Sequence, residues 1–182
     1  MQVTQTNRLQ LRWLTLNDAP FIVELLNDPD WFRFIGDKGV RTLDDARHYI
    51  SNDLMKSYHD LGFGLYLVEQ VADSAPIGIC GLKKRDGLDY PDLGFAFLPA
   101  FRESGFAFEA CQGVMTHAFN DTYNLAAPVP FHLLAITTPD NVRSIRLLEK
   151  LQFVFVRTVV LPGATTELRL YEVVIEMVTA LK

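Results

Sequence analysis

Residues 93–120 predict a strand that turns tightly into a helix. The segment 93–98 is apolar, and beyond Gly105 the hydrophobic residues recur at steps of three and four, as on one face of a helix. The N–H groups of a first helical turn have no acceptor inside the helix and lie at the positive end of its dipole. The turn is therefore a candidate phosphate site, with Arg102 as a further donor. An ordinary turn closed by a helix-starting glycine is the alternative.

The hydrophobic patterns elsewhere in the chain predict further strands and helices before and after this strand and helix. Strands are expected at 8–14, 63–69, 77–84, 93–98, 131–137, 153–160 and 168–175, and helices after Thr15 or Asn17, from Thr42, at 105–120 and at 140–151. Between the first two helices lies an aromatic stretch at 31–36. The order indicates an α+β or α/β chain, with a mostly antiparallel first half and a crossover in the second.

Length and composition favour one domain over residues 1–182. A chain of 182 residues of which 49% are hydrophobic can bury about 70% of its surface, so its core needs no metal or disulfide. The nearest candidate for a linker is 126–130, and five residues are better explained as a stiff loop. Cys80 and Cys111 lack the spacing of a zinc or redox motif, which predicts two buried, reduced thiols.

The excess of acidic residues argues against negatively charged partners. With 17 basic and 22 acidic residues the net charge is −5, which argues against a duplex nucleic acid or an anionic membrane surface as a partner. No apolar run approaches the ~18 residues of a membrane span, and the opening segment 1–7 is polar. We therefore expect a cytoplasmic protein that binds neither nucleic acid nor membrane.

Four segments carry a family resemblance. Residues 102–107 read Arg-Glu-Ser-Gly-Phe-Ala, after Asp-Leu-Gly-Phe-Ala-Phe-Leu-Pro at 92–99, and 141–153 reads Asn-Val-Arg-Ser-Ile-Arg-Leu-Leu-Glu-Lys-Leu-Gln-Phe. Together with 6–12 and 76–82, these segments resemble the GNAT superfamily of N-acetyltransferases and its ribosomal-protein (RimJ/RimL-type) branch. The resemblance implies a central mixed, mostly antiparallel sheet of six to seven strands, about four flanking helices and a splayed parallel strand pair.

The resemblance also implies a reaction and a set of residues. Acetyl-CoA would be the cosubstrate, no metal would take part, and a primary amine would attack the thioester directly in a ternary complex. Ser144 would protonate the leaving thiolate, because the tyrosine that many relatives use falls at Leu148, and Asn141 would bind the pantetheine arm. The expected coenzyme-binding residues are Phe97, Leu98, Arg102, Glu103, Ser104, Gly105, Phe106, Ala107 and Asn141.

The base and the acceptor are less well determined by the sequence. Asp92 is the first candidate for the base, with Glu69, Glu109 or a water chain as alternatives, and Glu109 also fits a structural hydrogen bond. The acceptor, a protein N-terminus or a small-molecule amine, would meet Trp31, Phe32 and Arg33. Phe34 and Tyr58 are further candidates, and ordinary aromatic packing is the alternative. The chain would be a monomer or a homodimer.

Departures from the family pattern support a second hypothesis. Glu103 and Ser104 stand where glycine and a basic residue are common, Phe108 replaces a threonine, and Gln152 replaces a glycine after a helix, where positive φ is often required. A catalytically weak acyl-CoA-binding or interaction module of the same fold is therefore the alternative to an enzyme. A dinucleotide-binding fold is disfavoured, since no Gly-x-Gly-x-x-Gly follows an early strand.

Overall fold

One eight-stranded sheet organises the computed structural model, which describes residues 1–122 and 131–175. The strands are β1 Gln2–Gln5, β2 Leu9–Arg12, β3 Leu65–Gln70, β4 Pro76–Lys83, β5 Asp92–Phe97, β6 Phe131–Thr137, β7 Val154–Val159 and β8 Leu168–Ile175. Their spatial order is β1-β2-β3-β4-β5-β6-β8-β7. The pair β5 and β6 is parallel, and every other neighbouring pair is antiparallel.

The described helices form five continuous stretches. They are α1 Ala19–Leu26, α2 Pro29–Phe34, α3 Leu43–Tyr49 joined through a π-helical turn Ile50–Met55 to α4 Lys56–Leu61, α5 Phe106–His117 and α6 Val142–Lys150. Thr42 starts α3 as predicted: its hydroxyl accepts from the Asp45 amide at 3.2 Å, and its own amide donates to the Asp45 carboxylate at 2.8 Å. None of the described helices is long and apolar enough to cross a bilayer.

The mixed sheet and its parallel pair confirm the expected fold class, with two elements that the patterns did not predict. Strand β1 is an edge strand in which only Val3 is aliphatic, so it lacks the apolar alternation of a half-buried strand. Helix α2 occupies part of the aromatic stretch. Asp28 caps it by accepting from the Asp30 amide at 3.0 Å, and Pro29 takes its first position. The Asp-Pro pair that ends α1 thus also begins α2. The segment 126–130 lies outside the described residues.

The two faces of β4 and β5 meet different partners. Cys80 points toward α5, where its sulfur lies 3.7 Å from that of Cys111, and both thiols are free and buried. The burial was predicted, but their proximity was not, since 31 residues separate them. Ile79, Gly81 and Lys83 lie on the other face by strand alternation. Of these, Ile79 and Lys83 line a large cavity that residues of α2 also border.

Strands β5 and β6 separate soon after they pair. Asp92 is in register with Leu134, and the Leu134 amide donates to the Pro91 carbonyl at 3.0 Å. On the opposite edge of β5, the Leu98 amide donates to Ile77 at 3.0 Å. Because antiparallel pairing alternates, the N–H groups of Phe95 and Phe97 then point toward β6. The separation leaves these backbone groups facing a gap between the two strands.

Candidate functional site

A cavity of about 990 Å³ opens where β5 and β6 part. Residues of both strands line it, together with α2, the loop that follows β5, and the first turns of α6. A volume of this size lies at the upper end of small-molecule sites. One cavity is therefore bordered by the strand gap, the expected phosphate loop and the start of α6.

The loop after β5 presents backbone amides at the start of α5. A 3₁₀ turn at Pro99–Phe101 is followed by Glu103 and Gly105, whose φ angles are +62° and +79°. The N–H groups of residues 103–108 donate to no acceptor within the described part of the chain. Arg8 holds the Ser104 carbonyl at 3.1 Å. Unpaired amides thus lie at the start of a twelve-residue helix, which is the arrangement that the phosphate-site prediction requires.

Arg102, expected to meet the coenzyme, is engaged by protein groups. Its Nε donates to the Phe97 carbonyl at 2.9 Å, Nη1 to Asp30 at 2.7 Å and Nη2 to Asp28 at 2.6 Å. Asp30 also accepts from Arg143 of α6. Arg102 therefore ties α2 to the end of β5. For its guanidinium to reach a phosphate, these carboxylates must release it.

The start of α6 places Asn141 and Ser144 on the cavity wall. The Asn141 side-chain oxygen accepts from the Ser144 amide at 3.1 Å, which makes Asn141 the N-cap of the helix. Neither the Ser144 hydroxyl nor the Asn141 amide nitrogen bonds another described group. Leu148, where many relatives carry tyrosine, is 1% exposed and packs in the core. Ser144 is consequently the hydroxyl that α6 offers to the cavity.

Of the three carboxylates considered for the base, Asp92 borders the cavity. It is 1% exposed, and Arg85 Nε donates to its two oxygens at 2.8 and 3.0 Å. Burial raises the pKa of Asp92, and the charge of Arg85 opposes the rise. Glu69 is held by Arg12 at 2.6 Å.

Glu109 has the structural role that the sequence offered as its alternative. It accepts from the Thr6 hydroxyl at 2.6 Å and from the Arg8 amide and Nε at 2.8 and 2.6 Å. Burial acts to raise the pKa of Glu109, but these hydrogen bonds outweigh it and hold the pKa below its usual range. Glu109 therefore fastens the segment before β2 to α5.

The aromatic residues of α2 border the cavity as the acceptor hypothesis requires. Trp31, Phe32, Arg33 and Phe34 all line it. Arg33 pairs with Asp140 at 2.9 Å, which closes α2 against the loop before α6. The indole nitrogen of Trp31 is buried without a hydrogen-bond partner in the described part of the chain. Tyr58, by contrast, is a core residue stacked between Trp13 and Tyr66 at centroid distances of 4.8 and 5.7 Å.

The residues of the cavity wall that were missed in the sequence include Tyr49, Lys83 and Arg85. Lys83 is in register with Asp92 on the neighbouring strand. The run Lys-Lys-Arg at 83–85 was a visible signal, because strand alternation sends its first residue to one face and the second away from it. Lys84 indeed donates to the Leu88 and Asp89 carbonyls at 3.0 and 2.9 Å.

The departures from the family pattern have structural counterparts. Gln152 follows α6 with φ +67°, as the replacement of a glycine predicted, and the Phe153 amide closes the turn on the Leu148 carbonyl at 3.0 Å. Glu103 is exposed at the rim of the cavity. The Lys150 ammonium lies 4.3 Å from the centre of the Phe108 ring. No three His, Cys, Asp or Glu residues gather as a metal site over 1–122 and 131–175.

Comparison with known proteins identifies a family and several relatives. The model of the acetyltransferase (GNAT) domain matches residues 8–154. An uncharacterized N-acetyltransferase, YnaD of Bacillus subtilis (strain 168), is 26% identical over 151 residues, which are 83% of this chain and 81% of the relative. The uncharacterized N-acetyltransferase p20 of Bacillus licheniformis is 28% identical over 156 residues, 84% of this chain and 83% of the relative.

A solved structure shares the fold. The RimL ribosomal L7/L12 α-N-protein acetyltransferase, in complex with coenzyme A, superposes with a TM-score of 0.72 at 16% identity. The match covers 97% of this chain and 99% of that one. The sheet with its separated parallel pair is therefore the fold of known acetyltransferase structures.

Proposed function

Because this chain belongs to the GNAT acetyltransferase family, we propose that it transfers an acetyl group from acetyl-CoA to a primary amine by direct attack in a ternary complex. The observation that carries the proposal is the gap between β5 and β6, which has unpaired amides at one end and the Ser144 hydroxyl on its wall. A relative solved with coenzyme A has the same fold.

The residues present fit the coenzyme. The N–H groups of residues 103–107 would donate to the diphosphate oxygens, since they have no competing acceptor in the described structure and lie at the positive end of α5. The N–H groups of Phe95 and Phe97, which face the gap, would pair with the pantetheine arm in place of the missing β6 neighbour. Leu98, also expected to bind the coenzyme, does not present its amide to the gap, because that amide donates to the Ile77 carbonyl. The Asn141 amide nitrogen supplies a further donor to that arm. Binding of this kind would align the thioester before reaction.

The reaction then needs three groups of this chain. The Phe97 N–H, which faces the gap, would polarise the thioester carbonyl. As the amine nitrogen bonds to the carbonyl carbon and the carbon–sulfur bond breaks, Ser144 would give its proton to the thiolate. Asp92, whose carboxylate pairs with Arg85 before the reaction, would take the amine proton directly or through water. Water in the cavity would then carry this proton back to the Ser144 oxygen, which restores both groups.

The acceptor side lies under α2. Trp31, Phe32 and Arg33 border it, and they would surround a protein N-terminus or a small-molecule amine. The block at 141–153 supports membership of the ribosomal-protein (RimJ/RimL-type) branch. One domain over residues 1–182 and a cytoplasmic location complete the proposal.

Specific features favour a second candidate, the catalytically weak acyl-CoA-binding module. An exposed carboxylate at Glu103 stands beside the amides, and Arg102 is engaged by Asp28 and Asp30. Both features reduce the attraction for a diphosphate. Such a module would bind acetyl-CoA without transferring its acetyl group.

Two measurements on the full chain test the proposal. Acetyl-CoA at 100 times its dissociation constant should add about 2.7 kcal/mol of stability, a rise of roughly 5–10 °C in Tm. Release of free thiol on addition of amines should then show turnover, and Ser144→Ala is the matched variant. Absence of a Tm shift at millimolar acetyl-CoA would contradict both candidates. A shift without thiol release across a broad amine panel would favour the module.

A further inference from the structure

Lys83 is a cation on the wall of the cavity. It ends β4, lines the cavity wall, and its side chain is 23% exposed. In the described structure its ammonium makes no hydrogen bond, and its ion pair with Asp53 spans 3.7 Å. A partly buried ammonium carries three donors, and its free energy is lowest when each has an acceptor. An acceptor group bound in the cavity would satisfy them.

The charges around Lys83 leave a net positive site. Burial lowers the pKa of Lys83; Asp53 and Asp92 oppose this, while Arg85 and Lys38 act in the same direction. Asp92 is itself neutralised by Arg85, and the Asp53 side chain is 41% exposed. Lys38, Lys83 and Arg85 all border the cavity, and the carboxylates paired with Lys83 and Arg85 are Asp53 and Asp92. This side of the cavity suits an anion.

Lys83 lies next to the proposed base, so an anion bound by Lys83 would lie close to the acceptor amine. Lys83 is the cross-strand partner of Asp92, the proposed base, so the two side chains lie on the same face of the sheet. The floor next to them is open at Gly94, which lines the cavity and carries no side chain. Tyr49 borders the same cavity. An acceptor whose amine meets Asp92 would therefore place a nearby group at Lys83.

We propose that the acceptor amine carries an anionic group, a carboxylate or a phosphate, close to its nitrogen, and that Lys83 binds this group. The proposal rests on the proposed acetyl transfer. Lys83 then determines specificity for the acceptor. The overall negative charge of the chain would disfavour such an acceptor at long range, so the selection is made locally inside the cavity.

Matched pairs of acceptors test the proposal. Amino acids are compared with their amides, and phosphoethanolamine with ethanolamine, by thiol release in the wild type, in Lys83→Gln and in Lys84→Gln. Lys84 is the control, because its ammonium binds two loop carbonyls and does not line the cavity. The two pairs distinguish a carboxylate from a phosphate. Tm and the dissociation constant of acetyl-CoA are measured for each variant.

The wild type should prefer the anionic member of at least one pair by 10-fold or more in kcat/KM. Lys83→Gln should remove that preference by raising KM for the anionic member, with kcat for the neutral member, acetyl-CoA affinity and Tm retained, and Lys84→Gln should behave as the wild type. Equal rates within both pairs, or a Lys83→Gln variant that slows both members alike, would overturn this inference while acetyl transfer stands. Acetyl-CoA binding without transfer to any amine would overturn the proposed function and this inference together.

Discussion

Asp92 of β5 and Leu134 of β6 are partners in a parallel register from which the two strands then diverge. On one side of this pair the Leu134 amide is bonded to the Pro91 carbonyl. On the other side, the backbone of Phe95 and Phe97 faces the gap with no strand beside it. A sheet that opens in this way offers an extended ligand the hydrogen bonds of a missing strand. Asp92 stands where the opening begins, beside the proposed acceptor site.

Loss of the proposed proton donor should affect turnover alone. Ser144→Ala is expected to lower kcat on the order of 100-fold, the scale of general acid catalysis. The backbone amide that Asn141 caps remains in the variant, so Tm and acetyl-CoA affinity should stay within error of the wild type. Thiol-release kinetics and thermal shift measure the two properties. Ser51→Ala, at a half-buried helical residue that does not line the cavity, is the control; wild-type turnover in Ser144→Ala would remove Ser144 from the mechanism.

Asn141 should show two separable roles. Asn141→Ala loses the N-cap of α6, which is expected to cost about 1 kcal/mol, or roughly 2–4 °C in Tm. Asn141→Ser keeps a capping oxygen and should recover most of that stability, but neither variant has the amide nitrogen proposed to bind pantetheine. Acetyl-CoA affinity, measured by calorimetry, should therefore fall in both. Wild-type affinity in the stable Ser variant would contradict the coenzyme role.

The facing glycines of β4 and β5 should respond differently to substitution. A Cβ on Gly81 would lie 2.0 Å from the Gly64 carbonyl oxygen, whereas a Cβ on Gly94 meets only the flexible end of Leu65 at 3.3 Å. Gly81→Ala should therefore lose more than about 3 kcal/mol of stability or fail to fold, while Gly94→Ala folds. Urea unfolding compares them.

A larger side chain at position 94 tests whether the cavity is used. Gly94 lines it, so Gly94→Leu should fold and yet lose most of its turnover, because the side chain fills space next to the proposed base. Gly94→Ala serves as the control. Full activity in Gly94→Leu would show that the reaction takes place elsewhere.

The hydrogen bonds of Glu109 should contribute to the free energy of unfolding, and this contribution should be lost in acid. The pKa of Glu109 in the folded chain lies below its ordinary value of 4.5. Its stabilisation is therefore present above that value and is lost as the pH falls through the folded-state pKa. Glu109→Gln should lower the free energy of unfolding at pH 7 by about 1–2 kcal/mol, with the difference shrinking toward about pH 3. Urea unfolding over this range checks it, with exposed Glu24→Gln as the control; a difference that does not vary with pH would contradict the assignment.

Local patterns predicted most of the fold. The Thr42 capping box, the hairpin of β3 and β4 and the amphipathic α5 each depend on residues close in sequence. Strand β1 was missed because Val3 is its only apolar residue, so it shows no alternation of apolar and polar side chains. It forms because it pairs with β2. Helix α2 was missed because Asp28 and Pro29 end one helix and begin the next.

The parts of the site that depend on residues close together in sequence could be predicted. The Asn141 cap and the left-handed Gln152 follow from short motifs. The partners of Arg102 do not, since Asp30 lies 72 residues away in the chain and only the folded sheet brings them together. The same holds for Lys83, whose ion-pair partner Asp53 lies in the π-helical turn between α3 and α4.

The most direct measurement is a crystal structure of this chain grown with coenzyme A. It should show the diphosphate oxygens within about 2.7–3.2 Å of backbone nitrogens in 103–107, the pantetheine between β5 and β6, and the sulfur beside Ser144. A coenzyme bound elsewhere, or a gap between β5 and β6 filled by side chains, would contradict the account.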